Sequence, residues 1–360
     1  MQPNLRIYFI LFTMVVNANS SSPLVSVILP VRNAETTLHQ CFSSISSQSL
    51  KNFELIIIND GSQDGSVELI KRWMRRDKRF RLLNQPTLGL VVALNQGIKL
   101  ARGDYIARMD ADDVMYSSRL QDQHQFLKKN SHIGLVASQV KVFPKERLTD
   151  GFSEYIRWQN NCLNCDDIAD EIYVESPLAH PTVMFRRCLI NKLGGYRHGD
   201  FPEDYDLWLR MSQSGVKMAK LPQVLLDWRD DHSRTSRTDP RYSRQAFDQL
   251  RADFLAEDPR INTHRPLVYW GAGRKTRKRA NLLIAKGYKP TAWIDIDPRK
   301  IGNKILNVPV VAPAWLEQKS KTGNKPFILG YVANHGARDI IAAALHKLNY
   351  KRGIDYLMVG

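Results

Sequence analysis

Cysteine is scarce: Cys41, Cys162, Cys165 and Cys188 are the only four in 360 residues. That number excludes a disulfide-laced scaffold at this chain length and fits a reducing compartment. Acid is also in deficit, with 36 Asp and Glu against 52 Lys and Arg, a formal net charge of +16. Such a balance predicts attraction to something anionic, whether a nucleic acid, a membrane surface or a phosphorylated small molecule. Long apolar runs are missing too. The N-terminal stretch "LRIYFILFTMVVNA" falls short of the roughly 20 residues of a spanning helix, and no later segment approaches one. It has the length of a signal-peptide core, with "VNA" a tolerable cleavage site. An interfacial anchor and an extra leader are its other readings. There is no internal repeat and no long low-complexity segment, so neither a solenoid nor a disordered tract is expected.

What is present is the composition of a soluble globular protein, 43% hydrophobic and 24% charged, with length enough for two cores. From Leu24 onward apolar runs alternate with amphipathic stretches. "LVSVILPV", "FELIIIND", "FRLLNQ" and "DYIARMD" read as strands, and the stretches between them have helical spacing. Helices of this length between strands imply right-handed crossovers and a parallel sheet. Ligands bind such sheets beyond the carboxyl ends of the strands. "PVRN", "NDGSQDGS" and "MDADD" all fall at those ends, so three polar clusters should meet in one crevice. A loop-rich stretch is expected over residues 143–176, and ordered signals resume with "HPTVMFRR", "PEDYDLWLRMSQSG" and "LPQVLLDWRDDHSRTS". The boundaries expected are a leader or anchor over 1–23, a first domain over 24–258, a linker over 259–266 and a second alternating unit over 267–360.

"ARMDADDV" puts Asp110, Asp112 and Asp113 within four positions of a basic chain. Like charges so close need something positive between them. Strand alternation would turn Asp110 and Asp112 to one side, and two hard oxygen donors suit Mg²⁺ or Mn²⁺. The plainer reading is the start of a helix, because "SSRLQDQHQFL" follows and acids favour helix N-termini. "WIDIDP", with Asp295 and Asp297 at the same spacing, is a built-in control.

Taken in order, "VSVILPVRNAE", "ELIIINDGSQDGS", "GLVVALNQGIKLARGDYIARMDADD", "HPTVMFRR", "PEDYDLWLR" and "WRDDHSRTS" make residues 24–235 resemble a family-2 glycosyltransferase of the GT-A fold. The resemblance implies an α/β fold with a mainly parallel central sheet. It also implies transfer of a sugar from a nucleotide-diphosphate donor, a UDP-sugar by preference, to an acceptor hydroxyl with inversion. A divalent cation, Mn²⁺ or Mg²⁺, would be the cofactor. Carried over by position, Pro30 and Val31 would line the base and Asp60 would accept from its imide, with an Asx turn before Gly61 as the local alternative. Asn95 would shape the donor pocket or else face solvent from a helix. Asp110 would approach the ribose and Asp112 would ligate the metal, while Asp113 suits a helix cap.

In "PEDYDLWLRM" the resemblance makes Asp204, the second acid of the Glu–Asp pair, the general base. Glu203, Asp204 and Asp206 could otherwise simply suit the dipole of a helix start. Pro202 stands where family members often have a small residue, and proline fits a first helical turn. Glu203 and His180 would lie on the acceptor side, and Arg229, His232 and Arg234 could reach phosphate oxygens. Cys162 and Cys165 form a C-x-x-C without evident partners for a four-ligand zinc site and read as free thiols on a surface loop. "GAGRKT" resembles a dinucleotide fingerprint, with Asp295 near the place of a ribose acid, but Thr276 replaces its third glycine. The second unit therefore reads as a smaller, degenerate Rossmann-like α/β domain.

The expected partners are a nucleotide-sugar donor and a glycan or lipid-linked acceptor, in surface polysaccharide or glycolipid assembly. Nucleic acid is not expected. Nucleotide sugars are made in the cytosol, so the expected location is cytoplasmic, with peripheral contact on the inner face of the plasma membrane. The rival reading from the +16 balance is a nucleic-acid or anionic-surface binding protein without catalysis; no recognition helix or RNA-stacking sheet is apparent in support of it.

Overall fold

Val25, Val27, Leu29 and Val31 belong to one buried apolar cluster and Ile28 to another. This is the period-two division of a strand buried on both faces. A computed structural model describes residues 22–231, 234–261, 264–321, 325–332 and 336–360. The N-terminal apolar run, and His232 of the expected donor contacts, lie outside the described residues.

The first sheet contains β1 (Val25–Val31), β2 (Phe53–Asp60), β3 (Phe80–Gln85), β4 (Tyr105–Arg108), β5 (Val114–Met115), β6 (Ile133–Phe143), β7 (Met184–Arg186) and β8 (Lys217–Arg229). Its order is β3-β2-β1-β4-β7-β6-β8-β5. From β3 to β4 every neighbour is parallel. Strand β7 then runs antiparallel to both β4 and β6, and β8 pairs in parallel with β6. Helices α1 (Glu35–Ser46), α2 (Ser66–Arg76) and α3 (Leu90–Leu100) make the parallel crossovers. They are followed by α4 (Arg119–Lys129), α5 (Asp150–Asn161), α6 (Cys165–Glu171), α7 (Arg187–Lys192), α8 (Glu203–Gln213), α9 (Thr235–Thr238) and α10 (Arg244–Ala256). The chain is thus an α/β protein whose parallel half matches the expectation.

The stretch expected to be loop-rich contains α5 and α6. Thr149 caps α5 by accepting from the Phe152 N–H, and Asn164 caps α6 in a reciprocal box with Asp167. Both caps supply acceptors that the first turn of a helix lacks. Cys162 is consequently not on a surface loop. It is buried at the end of α5, donating to the Trp158 carbonyl oxygen, and burial pushes its thiol up to about 12.

The second sheet is built from β9 (Leu267–Trp270), β10 (Ala292–Ile294), β11 (Lys304–Ile305), β12 (Val308–Val311), β13 (Phe327–Gly330) and β14 (Tyr356–Met358), in the order β11-β12-β10-β9-β13-β14. Among the described residues only β11 pairs antiparallel. Helices α11 (Arg274–Ala285), α12 (Trp315–Lys321) and α13 (Ala337–Lys347) connect its strands. Strand alternation again divides the apolar side chains. Val268 and Trp270 enter a cluster confined mainly to this sheet, whereas Leu267 and Tyr269 join one that reaches Ile28, Ile58 and Trp208 of the first sheet's side. Apolar burial therefore continues from one sheet to the other. Among the described residues, no helix is long and apolar enough to cross a membrane.

Candidate active site

The carboxyl ends of β1, β2 and β4 open on a cavity of about 1690 Å³, which the first turns of α11 and α13 also line. A single small-ligand site typically occupies roughly 300–1,000 Å³, so there is room for two ligands. The three sequence clusters expected to converge do so: Pro30, Val31, Asp60, Asp110 and Asp112 all face this space.

Asp60 is nearly buried, and its carboxylate accepts from the Leu88 N–H at 2.8 Å, the Gly89 N–H at 3.0 Å and Gln85 Nε2 at 2.7 Å. It thereby fixes the entry to α3, where Gly89 adopts a φ of 92° that favours glycine. A carboxylate has about four lone-pair positions, so one remains for a ligand. The Asx-type contact forms one residue earlier, where Asn59 Oδ1 accepts from the Ser62 N–H at 3.2 Å.

Asn95 departs from both readings of it. Its Nδ2 donates to the Tyr196 carbonyl at 2.9 Å and its Oδ1 accepts from the Tyr196 N–H at 2.9 Å. With both ends of the amide committed, it clamps the Tyr196 backbone and does not line the cavity.

Strand β4 ends at Arg108, so a turn rather than strand alternation gathers the acids. One carboxylate oxygen from each of Asp110, Asp112 and Asp113 lies within 4.8 Å of the others. The turn is held from behind. Thr37 Oγ1 donates to the Ala111 carbonyl at 3.0 Å, Cys41 Sγ to that of Asp110, and Arg229 Nε to that of Asp112 at 2.8 Å. Asp110 forms an ion pair with the buried Arg108. Asp113 does not cap a helix, because β5 intervenes and Ser118 stands at the N-cap of α4. It is buried instead, with Oδ1 accepting from the Arg229 N–H at 2.8 Å and Oδ2 unpartnered. The Asp112 carboxylate accepts no hydrogen bond from another described residue. Burial first, then Asp110, pushes Asp112 up to about 6, and burial with Asp112 and Asp110 drives Asp113 well above the carboxylate range. An ion bound among these oxygens would relieve both strains.

Arg229 lines the cavity, but its guanidinium is occupied by the Asp112 carbonyl and Gln40, and it stacks over the Phe143 ring at 4.4 Å. The phosphate contact expected of it gives way to a role in holding the acidic turn. Arg234 also lines the cavity, near Asp230 and over Trp228.

The acids at the start of α8 separate in function. Asp206 is fully buried between Arg197 and Arg210 and is structural. Buried Glu203 shares the one O–H of Tyr242 between its carboxylate oxygens, 2.8 and 2.6 Å from Oη, and lies 4.0 Å from His180 Nδ1. Half-buried Asp204 faces the cavity, where burial and the adjacent Glu203 push it up to about 7. Pro202 occupies the N-cap rather than the first turn. His180 is buried against Tyr196 Oη at 2.7 Å, and burial and Arg108 hold it well below its ordinary value, so its imidazole is neutral.

Sequence reasoning missed three contributors. Arg108 underlies the acids and itself rests on buried Arg119, which donates to its carbonyl at 2.8 Å. Tyr242 holds Glu203. Phe152, Tyr155 and Trp158 put half-buried rings of α5 on the cavity wall. Their recurrence every three residues was a legible helical signal.

The profile of the family described as "Glycosyl transferase family 2" matches residues 26–194. The protein described as "Putative glycosyltransferase EpsE" of Bacillus subtilis (strain 168) is 34% identical over 229 residues, 62% of this chain and 79% of that one. An Escherichia coli protein described as "UDP-Gal:alpha-D-GlcNAc-diphosphoundecaprenol beta-1,3-galactosyltransferase" is 29% identical over 216 residues, 59% of this chain and 76% of that one. A crystal structure of S. aureus TarS aligns with a TM-score of 0.50 at 16% identity, covering 64% of this chain and 70% of that one. That likeness supports the GT-A arrangement of the first sheet. Family profile, sequence identity and fold agree, and the chain is a glycosyltransferase belonging to glycosyl transferase family 2.

Proposed function

We propose that the enzyme moves a sugar from a nucleotide-diphosphate donor, a UDP-sugar, to the hydroxyl of a glycan or lipid-linked acceptor, with inversion at the anomeric carbon. The observation that carries this reading is that Asp204 and the acidic turn face one cavity while each has its own electrostatic setting. Pro30, Val31 and Asp60 would receive the base and Asp110 the ribose. The acidic turn fits a divalent cation: Asp112 is uncommitted, Asp113 Oδ2 is buried without a partner, and all the donors are hard oxygens. When bound, Mn²⁺ or Mg²⁺ would supply neutralisation of charge on the departing diphosphate.

Asp204 is the residue to accept the acceptor hydroxyl's proton as that oxygen attacks the anomeric carbon. A base titrating near neutrality is matched to such a transfer. Tyr242 holds Glu203 in place, and the neighbouring Glu203 helps raise Asp204. The rings of α5 offer apolar faces to the acceptor, and the cavity has room for it beside the donor. The name of the E. coli relative, with its UDP-galactose donor and diphosphate-lipid acceptor, supports this donor class and surface-polysaccharide or glycolipid assembly. A lipid-linked acceptor would place the enzyme at the inner face of the plasma membrane. A screen of nucleotide sugars, read by release of nucleoside diphosphate with and without Mn²⁺, tests the reading. Release from a UDP-sugar only when metal is present is expected; release from none of them, with any metal, overturns it.

A further inference from the structure

The far wall of the cavity comes from other parts of the chain. Arg244 begins α10, Lys275 lies in the first turn of α11 and Arg338 in that of α13. Most other cations on the cavity are engaged. Arg108 pairs with Asp110, Arg234 and Arg237 with Asp230, Arg241 with Asp239, and Arg251 with Asp248. Arg279 donates to the main-chain oxygen of Gly360. Arg244, Lys275 and Arg338 have no hydrogen-bond or ion-pair partner among the described residues; of the acids nearby, Asp248 is held by Arg251 at 2.5 Å and Glu175 also acts on Arg251. Burial, with Arg251 and Arg244 adding to it, holds Arg279 below its ordinary value against the pull of Asp248.

Uncompensated cations brought to one surface repel unless a ligand supplies the counter-charge. Two guanidinium forks and an ammonium suit phosphate oxygens. The donor's diphosphate belongs at the acidic turn and its cation, and the cavity exceeds the needs of one ligand. We propose that Arg244, Lys275 and Arg338 form a subsite for a phosphate group carried by the acceptor. The inference rests on the donor reading above, because that reading assigns the other end of the cavity to the nucleotide. The second sheet thereby gains a role in presenting an anionic acceptor to Asp204.

The test is calorimetric titration of the full chain with decyl phosphate, glucose 1-phosphate and neutral octyl glucoside, each with and without saturating UDP and Mg²⁺. Wild type loaded with UDP should bind one or both phosphates. Arg244→Gln combined with Lys275→Gln should weaken that binding roughly tenfold or more, leaving UDP affinity and melting temperature unchanged. Lys275→Arg should retain it, and Arg338→Gln alone should weaken it in the same direction. Tighter binding of decyl phosphate than of glucose 1-phosphate assigns the phosphate to a lipid-linked acceptor; equal binding assigns it to a soluble sugar phosphate. The proposal is overturned if neither phosphate binds the UDP-loaded protein, or if the double variant binds both as wild type does. If UDP itself fails to bind, the donor reading falls. The phosphate titrations without UDP, wild type against double variant, would still decide the subsite.

Discussion

Asp110 and Asp112 follow a strand of the first sheet, and Asp295 and Asp297 follow a strand of the second, at identical spacing. Their surroundings are opposite. Asp295 accepts from the Ala272 N–H at 2.8 Å, the Asp297 N–H at 2.9 Å and Lys300 Nζ at 3.1 Å. Asp297 is met by the N–H and guanidinium of Arg299. These partners hold both acids below the usual carboxylate range. At the first sheet the carboxylates face one another across a turn whose backbone is fastened from behind, and Asp112 and Asp113 are raised. Spacing alone therefore says little about metal binding. What decides is whether the protein has already satisfied the oxygens.

The largest effect is expected at Asp204, which is raised like Asp112 and Asp113 although its carboxylate accepts from the Tyr205 N–H at 2.7 Å. Asp204→Asn keeps size and hydrogen bonding but cannot take a proton, so kcat should fall by about 10² or more with UDP affinity little changed. Glu203→Gln should be milder. The wild-type rate should rise with pH to a plateau, with its midpoint near the value of about 7 that burial and Glu203 impose. The sign for stability is the reverse. A carboxyl raised in the folded state binds its proton more tightly there than in the unfolded chain. Its stabilising contribution is present at low pH and is lost as pH climbs from the unfolded value toward about 7. At pH 8 the Asn variant should melt at a higher temperature than wild type. Turnover and melting profiles from pH 5 to 9 check both statements. A pH-independent rate, or turnover lost in Glu203→Gln and kept in Asp204→Asn, would move the base to the other acid.

Next in size is the acidic turn. Asp112→Asn should weaken Mn²⁺-supported UDP binding by about tenfold or more, on the scale at which metal sites respond to altered ligation. Asp297→Asn should leave it unchanged. Equal UDP affinity for wild type and Asp112→Asn, with and without chelator, would remove Asp112 from the site and erase the contrast between the two motifs.

The same contrast explains what was legible in the sequence. Continuous apolar runs placed the parallel half of the first sheet, because a strand buried on two faces shows no polar alternation. Crossover rules then placed "PVRN", "NDGS" and "MDADD" at one end. What escaped was partnership between distant segments. Asn95 has the right type for a donor pocket, yet its amide matches the Tyr196 backbone 101 residues away. Arg229 meets Asp112 and Asp113 across 117 and 116 residues. Tyr242 reaches Glu203 only because the chain returns after β8. Helices α5 and α6 were hidden by a polar, short-period composition, although their caps and the aromatic spacing at Phe152, Tyr155 and Trp158 were local and readable.

The smallest effect sharpens the comparison most, because it asks what the satisfied pair does. Gly271 precedes α11 with a φ of 115°, and a Cβ there would meet Thr276 Cγ2 at 2.7 Å and Val332 Cγ2 at 2.9 Å. The glycine is needed because Thr276 fills space that the third glycine of a dinucleotide fingerprint would leave open. Asp295 completes the turn from its own strand by accepting the Ala272 N–H. Both features make the loop self-contained, with its acid fastening backbone rather than a ribose. Asp295→Asn keeps an acceptor for Ala272 but turns its NH2 toward the Asp297 N–H and weakens the bond to Lys300, so it should cost on the order of 1 kcal/mol or more. Its pH signature is opposite to that of Asp204. An acid held low stabilises above its unfolded value, and that contribution disappears as pH falls through the folded value. Melting curves of wild type and Asp295→Asn should therefore differ at pH 7 and converge below pH 4, while calorimetry with NAD and with UDP shows no change between them. If Asp295→Asn instead abolishes binding of either nucleotide, the loop before α11 belongs to a nucleotide site, and the division of labour between the two acidic pairs is wrong.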